Sequence, residues 1–227
     1  MRRVMVIAAH PDDEILGCGG TIRKYIDSGD SAQCVILGEG LTSRQDNRDD
    51  TDEACLEGLK NQAKSAARTV GYSEVFFNDF PDNRFDSMSI LNITRTIEKH
   101  IERFRPDIVY THHYGDLNKD HRLTFEAVIT ACRPVGEYSV KEIYCFETPS
   151  STEWNFKYGE NSFKPNVFID IEDTISMKLE ALKCYKSEIR EFPHPRSIKG
   201  LEVIAERWGL VVGRRYVEAF ELIRKVQ

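Results

Sequence analysis

The chain has 227 residues, of which 41% are hydrophobic and 30% are charged, and its formal net charge at pH 7 is -6. This length fits one domain with a full hydrophobic core, and the composition is ordinary for a globular protein. The acidic balance argues against nucleic acid as the main partner, because phosphate binding requires a basic surface. We therefore expect a single domain over residues 1–227 that does not bind nucleic acid.

The first residues do not have the pattern of a targeting signal. Arg2 and Arg3 are followed by only six apolar residues, 4–9, which is too short for the core of a signal peptide. No stretch approaches the roughly 18 apolar residues of a membrane span. The six cysteines include no C-x-x-C pair and are expected to be reduced. These features predict a cytoplasmic protein without integral membrane contact.

The first predicted unit combines a buried strand with a polar loop. Residues 4–9 predict the strand, and His10 and the acidic residues 12–14 follow it directly. A helix is expected over residues 21–26, after a glycine-rich stretch. Open parallel sheets bind ligands at the carboxyl ends of their strands, so this loop is a candidate functional site.

The acidic groups in this loop repel one another when ionised and need a counter-charge, which a divalent cation can supply. His10 and Asp13 lie three positions apart, close enough for an imidazole nitrogen and a carboxylate oxygen to bind one ion. Asp12 would then remain free of the metal. The alternative is a polar loop that only caps the following helix, with Asp12 or Asp13 as N-cap.

Strands and helices alternate along the rest of the chain. Strands are expected at residues 32–37, 74–77, 107–111, 141–146, 167–171 and 219–223, and helices at 51–70, 89–104, 122–132, 173–189 and 197–210. This alternation predicts an α/β fold with a mostly parallel sheet and helices on both faces. The last strand is expected at the edge of the sheet.

Two polar loops carry candidate substrate contacts. Residues 38–52 form a long loop that contains Arg44, and residues 78–87 contain Asp82 and Arg84. Solvated surface is the alternative for the arginines, and a plain turn is the alternative for the second loop. We predict Arg44 and Arg84 as substrate-binding residues.

A second polar cluster, residues 111–121, follows the strand predicted at 107–111. Two loops at the carboxyl ends of strands in one sheet can converge, so His121 would supply a third ligand beside His10 and Asp13. Two imidazoles and a carboxylate, with one position open for water, form a catalytic zinc arrangement. The alternative for His121 is a helix cap or a surface residue.

The two clusters also carry a resemblance to a known family. Residues 9–14, AHPDDE, and residues 116–121, DLNKDH, resemble the two signature motifs of the PIG-L/LmbE-like family of zinc-dependent N-acetylglucosaminyl deacetylases. The resemblance covers most of residues 4–132, and it implies a Rossmann-like fold. It also implies a homo-oligomer, an expectation that the apolar C-terminal region supports.

The resemblance implies roles for five residues of the clusters. His10, Asp13 and His121 would bind Zn2+, Asp12 would be the general base, and Asp120 would hold the second loop in place from outside the ligand shell. Zinc can polarise an amide carbonyl and activate water. Asp12 can take the proton of that water and return it to the leaving amine.

The chain departs from the family pattern at Asn118, where many members carry a histidine that stabilises the oxyanion. Asparagine can donate a neutral hydrogen bond but cannot transfer a proton. His194 stands between two prolines and close to Arg196, and in the family a C-terminal histidine can reach the zinc site. We predict His194 as the catalytic oxyanion and proton donor, and Asn118 and Arg196 as substrate contacts. The alternative is an exposed turn.

The leading functional hypothesis is zinc-dependent hydrolysis of the acetamide of an N-acetylated amino sugar or sugar conjugate. Two alternatives remain open: another zinc hydrolase, such as a non-sugar amidase or a phosphoesterase, and a non-catalytic sugar-binding relative. A dinucleotide-binding enzyme is set aside, because Ile22 stands where G-x-G-x-x-G needs its third glycine.

Overall fold

A computed structural model describes residues 1–41, 53–136, 138–156 and 161–226. Its strands are β1 (Arg3–Ala8), β2 (Ser31–Gly38), β3 (Glu74–Phe80), β4 (Ile108–His112), β5 (Glu142–Phe146), β6 (Val167–Asp170) and β7 (Val217–Lys225). Its helices are α1 (Asp13–Asp27), α2 (Glu53–Val70), α3 (Ile90–Phe104), α4 (Lys119–Ala131), α5 (Ile175–Cys184) and α6 (Ile198–Val212). Arg44 lies outside the described residues.

The strands form one seven-stranded sheet in the order β3-β2-β1-β4-β5-β7-β6. The first five of these strands pair in parallel, and β7 is antiparallel to both β5 and β6. The predicted α/β fold with a mostly parallel sheet is therefore confirmed. The prediction of an edge position for the last strand is wrong, because β7 lies between β5 and β6, and β6 takes the edge in the part of the chain that the structure describes. Ala219 and Phe220 of β7 are accordingly buried.

Helices cover both faces of the sheet, as predicted. One core cluster joins β1 and β2 to α1, α2 and α5, and a second joins the same strands to α3 and α4. The two clusters take alternate residues of β1, for example Val4 and Met5, because successive strand side chains point to opposite faces. No helix among the described residues combines the length and apolar character that crossing a bilayer requires.

Helix α1 begins at Asp13, so the stretch expected to remain a loop as far as Gly20 is largely helical. A Cβ at Gly17 would overlap the ring of Phe146, and one at Gly20 would come within 3.0 Å of Ile171. These glycines therefore let α1 pack closely against its neighbours. Glycine is unfavourable inside an isolated helix, so the helical conformation of this stretch depends on the packing around it.

The same helix is kinked at Cys18, which has φ −148° and ψ 16°. The backbone N–H groups of residues 20–21 donate to the carboxylate of Glu218, at 3.0 and 2.7 Å. Lys178 donates to the carbonyl oxygen of Leu16 at 2.8 Å and contacts Glu218 at 2.6 Å. A buried ion pair thus satisfies the backbone groups that the kink leaves free.

Two helix boundaries differ from prediction and matter for the site. Helix α4 begins at Lys119, three residues earlier than expected, so His121 lies in its first turn. Helix α5 ends at Cys184, although a helix was expected as far as residue 189. An irregular segment therefore runs over residues 185–197, up to the N-cap of α6.

Candidate metal and catalytic site

A cavity of about 270 Å³ lies at the carboxyl ends of the central strands. Its lining brings together the two polar clusters of the sequence and the irregular segment after α5. The charged and polar side chains that line the cavity include His10, Asp12, Asp13, Asp82, Asn118, His121, Glu188, Arg190 and Arg196. The cavity lies where the loops that follow β1 and β4 meet, which is where open α/β sheets bind their ligands.

Three predicted metal ligands, His10, Asp13 and His121, lie together in this cavity. Their donor atoms are all within 4.8 Å of one another. Asp13 Oδ2 is 3.5 Å from His10 Nδ1 and 3.4 Å from His121 Nε2. Two donors that each lie about 2.0–2.1 Å from a tetrahedral zinc ion are about 3.3 Å apart, so the residues fit Zn2+ with little rearrangement.

The second ring nitrogen of each histidine faces a carboxylate. His10 Nε2 is 3.0 Å from Asp120 Oδ2, and His121 Nδ1 is 3.1 Å from Asp116 Oδ1. Metal-binding histidines usually donate their other N–H group to such a carboxylate, which fixes the ring and its tautomer. Asp120 is itself held by the backbone N–H of Phe85, which donates to Oδ1 at 3.0 Å.

Asp116 has no role that its position in the sequence predicts, yet it contacts the outer nitrogen of His121. Its carboxylate accepts hydrogen bonds from the hydroxyl of Thr152 at 2.6 Å, the backbone N–H of Asn118 at 2.8 Å and the hydroxyl of Ser151. These donors come from two separate loops, and Asp116 is completely buried. Asp116 therefore joins the loop after β5 to the candidate ligand His121.

A second candidate group shares His10 and consists of His10, Asp82 and Asp120. Asp82 Oδ1 lies 3.2 Å from His10 Nε2, on the side where Asp120 also approaches. Zinc in catalytic sites favours nitrogen-rich ligand sets, which the group containing His121 supplies. The group of His10, Asp13 and His121 therefore fits zinc better than the group with two carboxylates, and Asp120 faces the outer nitrogen of His10.

His112, at the end of β4, packs against the candidate ligand His121. The backbone N–H of Ala9 donates to His112 Nε2 at 2.9 Å, so this nitrogen carries no proton and Nδ1 donates to Thr148 Oγ1 at 3.1 Å. Burial and the neighbouring His121 lower the pKa of His112 to about 3. The neutral ring stacks on His121 with 3.9 Å between centroids.

The electrostatics of the cluster also fit a cation. Burial alone would lower the pKa of His121, but Asp13 and Asp116 raise it to about 9. Burial opposes the ionisation of Asp13, yet the positive charge of His121 and the contact with His10 hold its pKa well below the usual range. The buried carboxylate thus requires positive charge beside it, which a divalent ion supplies when it is bound.

Asp12 lies in the cavity but outside both candidate ligand groups. It is the N-cap residue of α1, yet its side chain makes no capping hydrogen bond. Its Oδ2 atom is instead 3.2 Å from Arg196 Nη1. Burial and the neighbouring Asp13 raise the pKa of Asp12 well above its usual range, while Arg196 opposes this shift. Asp12 is therefore placed as a carboxylate that can exchange a proton beside the metal ligands.

The predicted substrate residues fall into two groups. Asn118 and Arg196 line the cavity, whereas the exposed Arg84 is not among its lining residues. Asn118 is the N-cap of α4: its side-chain oxygen accepts from the backbone N–H of Asp120 at 2.8 Å, and its amide donates to Asn83 Oδ1 at 2.9 Å. One amide hydrogen of Asn118 is thus already in use.

His194 lies beside the cavity and is not among its lining residues. Its Nδ1 atom accepts a hydrogen bond from the backbone N–H of Arg196 at 3.1 Å, which leaves Nε2–H as a donor. Burial and Arg196 lower the pKa of His194, so the ring is neutral at pH 7. Trp154 packs edge-on against it, with 5.6 Å between ring centroids.

Sequence reasoning missed Glu188 and Arg190, which both line the cavity. Glu188 falls in the helix expected over residues 173–189, and Arg190 follows it directly. Glu188 Oε2 lies 3.7 Å from Arg196 Nη1, so Arg196 lies between two carboxylates. No local signal distinguishes these charged residues from surface ones. Only the early end of α5 brings them to the cavity.

Comparison with known proteins identifies the family. The family described as PIG-L: GlcNAc-PI de-N-acetylase matches residues 5–132. The chain belongs to this family. Among its relatives, diacetylchitobiose deacetylase of Thermococcus kodakarensis is 30% identical, over 98% of this chain and 84% of its own length.

Solved structures agree on the fold of this PIG-L family member. N,N′-diacetylchitobiose deacetylase from Pyrococcus horikoshii has a TM-score of 0.78 at 21% identity, covering 98% of this chain and 84% of its own. The 4-carboxy-2-hydroxymuconate hydratase GalB from Pseudomonas putida also has a TM-score of 0.78 at 21% identity, covering 100% and 98%. The same fold thus occurs in a deacetylase and in a hydratase. The reaction therefore depends on the residues of the site and not on the fold alone.

Proposed function

We propose that this chain is a zinc-dependent N-deacetylase that hydrolyses the acetamide of an N-acetylated amino sugar to a free amine and acetate. The observation that carries the proposal is the convergence of two imidazoles and a carboxylate with a separate, unliganded carboxylate in one cavity. His10, Asp13 and His121 would bind the zinc ion, and Asp12 would accept a proton from the attacking water. Family membership and the named activity of a relative support the same reaction.

When bound, zinc would polarise the acetyl carbonyl and make a water molecule more nucleophilic. Asp12 would accept the proton of the attacking water and later deliver it to the leaving amine, for which its raised pKa is suited. Arg196 holds one carboxylate oxygen of Asp12, so the base keeps its orientation through both steps.

The relative from Thermococcus kodakarensis is named for diacetylchitobiose, an N-acetylated sugar, and this supports an amino sugar as the substrate class. Asn118 and Arg196 line the cavity and are proposed to contact the sugar. Arg44 and Arg84 remain proposed substrate contacts. The exposed Arg84 would act on a group of the substrate that extends past the cavity.

The proposed function is tested by measuring acetate and free amine after incubation of the zinc-loaded protein with a panel of substrates. The panel contains N-acetylglucosamine, diacetylchitobiose, an N-acetyl amino acid and a sugar phosphate. We expect equal amounts of acetate and amine from at least one N-acetyl sugar. Acetate from the amino acid alone would indicate a non-sugar amidase, phosphate release a phosphoesterase, and binding without turnover a sugar-binding protein.

We also propose that His194 supplies a neutral hydrogen bond to the oxyanion, which requires its segment to approach the bound substrate. The proton of the leaving amine then comes from Asp12, because a neutral imidazole cannot release its Nε2 proton to an amine. Among the described residues, the Nε2–H group of His194 has no hydrogen-bond partner, which supports its role as oxyanion donor. His194→Ala should then lower kcat about 100-fold, the scale of one lost oxyanion donor, with zinc content retained. Unchanged kcat would end the proposal, and a rise in KM alone would assign His194 to substrate binding.

We further propose that the protein is a homo-oligomer. Leu210 and Val211, at the end of α6, expose 83% and 60% of their surface, which is unusual for large apolar side chains on an isolated chain. Light scattering at micromolar concentration should give at least twice the chain mass of 26.1 kDa. A mass equal to that of one chain would contradict the proposal.

The cytoplasm is the proposed location. All six cysteines are free, four of them buried, and unpaired cysteines are typical of proteins from reducing compartments.

A further inference from the structure

The backbone of Asp12 is held in an unusual conformation. Its φ of 104° and ψ of −29° lie in the left-handed region, which residues with a side chain rarely adopt. Asp12 is also 97% buried, since only 3% of its surface is exposed. Such a conformation persists only where surrounding contacts over-determine it, and these occur most often at functional sites.

The carbonyl oxygen of Asp12 accepts from helix α1, and the contact that holds its backbone N–H comes from Glu14. The backbone N–H of Asp12 donates to Glu14 Oε2 at 3.1 Å, and the hydroxyl of Tyr185 donates to Glu14 Oε1 at 2.5 Å. Glu14 and Tyr185 expose 1% and 0% of their surface. A carboxylate this deeply buried needs its donors, so loss of the tyrosine hydroxyl would change how Glu14 binds Asp12.

Tyr185 also begins the irregular segment that forms one wall of the cavity. Its carbonyl oxygen accepts hydrogen bonds from the backbone N–H groups of Glu188, at 3.0 Å, and Ile189, at 3.1 Å. The same segment carries Arg196, whose Nη1 atom contacts Asp12 Oδ2 at 3.2 Å. The main chain and the side chain of Asp12 are therefore both anchored to this one segment.

We propose that Tyr185 is a positioning residue for the base Asp12 and that it acts through Glu14. The inference rests on the proposed function, because it assumes that Asp12 is the base. Tyr185 is not among the residues that line the cavity, so its hydroxyl would affect the reaction only through the conformation of Asp12. A shift of about 1 Å in a catalytic group can lower turnover by up to about 100-fold.

The direct test is Tyr185→Phe, which removes one hydroxyl and keeps the ring in the core. We expect kcat to fall about tenfold, while KM and zinc content remain unchanged. The matched control is Tyr110→Phe, which removes another fully buried hydroxyl, one that contacts Tyr25 Oη at 3.0 Å. The control should keep kcat. Equal losses in both variants, or no loss in Tyr185→Phe, would overturn the proposal.

A double-mutant cycle with Glu14→Gln tests the route of the effect. If Tyr185 acts through Glu14, the combined variant should lose less than the product of the two single losses in kcat. Losses that multiply would mean that the two residues act independently, and the proposal would be wrong. Should Tyr185→Phe not fold, Glu14→Gln alone should still lower kcat about tenfold without loss of zinc, and normal kcat would refute the proposal.

Crystal structures of the wild-type protein and Tyr185→Phe separate this inference from the proposed function. If the wild-type protein releases no acetate from any N-acetyl sugar, the proposed function is wrong. The positioning role of Tyr185 is then tested by comparing the conformation of Asp12 in the two crystal structures. We expect the variant to lose the Asp12–Glu14 hydrogen bond or to move the φ of Asp12 out of the left-handed region. Identical geometry at Asp12 would overturn the positioning role whatever the activity.

Discussion

Asp12→Asn is expected to lower kcat at least about 100-fold while the zinc content remains that of the wild-type protein. The substitution keeps the size of the side chain and removes its basicity. Asp12 lies outside both groups of candidate metal ligands, so the ion should stay bound. The amide oxygen can still accept from Arg196, which preserves the wall of the cavity. Acetate release and elemental analysis on the same sample measure the two effects.

Asp79→Asn is the matched control for this prediction. Asp79 lies on β3, its side chain is 65% exposed, and it pairs with Lys60 at 3.0 Å outside the cavity. The control variant should keep both kcat and zinc content. Near-wild-type acetate release by Asp12→Asn would show that another group accepts the proton, whereas loss of zinc would place Asp12 among the ligands.

The second large effect is expected on metal content. The wild-type protein should bind about one zinc ion per chain, and His10→Ala, Asp13→Ala or His121→Ala should each lower this occupancy sharply, since three donors are few for a zinc ion. Asp116→Asn keeps all three ligands but weakens the partner of His121 Nδ1, so zinc affinity should fall about 10–100-fold. Elemental analysis and titration with a competing chelator measure these changes.

The control for the metal prediction is His100→Ala. His100 lies on α3 and packs against Phe76, with 4.7 Å between ring centroids, away from the cavity. Zinc content should be unaffected by this change. Full occupancy in all three ligand variants would exclude the assigned site, and loss of zinc in His100→Ala would mean that occupancy reports general stability.

The candidate metal ligands could be selected from the sequence, because each follows a recognisable strand and has a side chain that can bind zinc. His10 and Asp13 follow the apolar residues of β1, and His121 follows β4 in the same way. The carboxyl ends of parallel strands share one edge of a sheet, so their convergence needed no knowledge of the packing. The fold class followed from the same alternation of elements.

Partners that come from distant parts of the chain could not be predicted in this way. Tyr185 meets Glu14 across 171 positions, and Glu188 reaches Arg196 only because α5 ends at Cys184. In the sequence, Tyr185 cannot be distinguished from any other buried tyrosine, and Glu188 cannot be distinguished from a glutamate on the surface. Which atoms they meet depends on how the segment after α5 packs against α1.

For β7, the local sequence predicts a strand but does not predict the position of that strand in the sheet. Its apolar residues predicted a strand, but its place between β5 and β6 depends on hydrogen bonds between strands far apart in the chain. The sequence by itself determined which residue types carry the chemistry, because ligand preference and strand periodicity are local properties. Only the tertiary structure decided which carboxylate faces each histidine and what holds Asp12, because hydrogen-bond partners are set by three-dimensional packing.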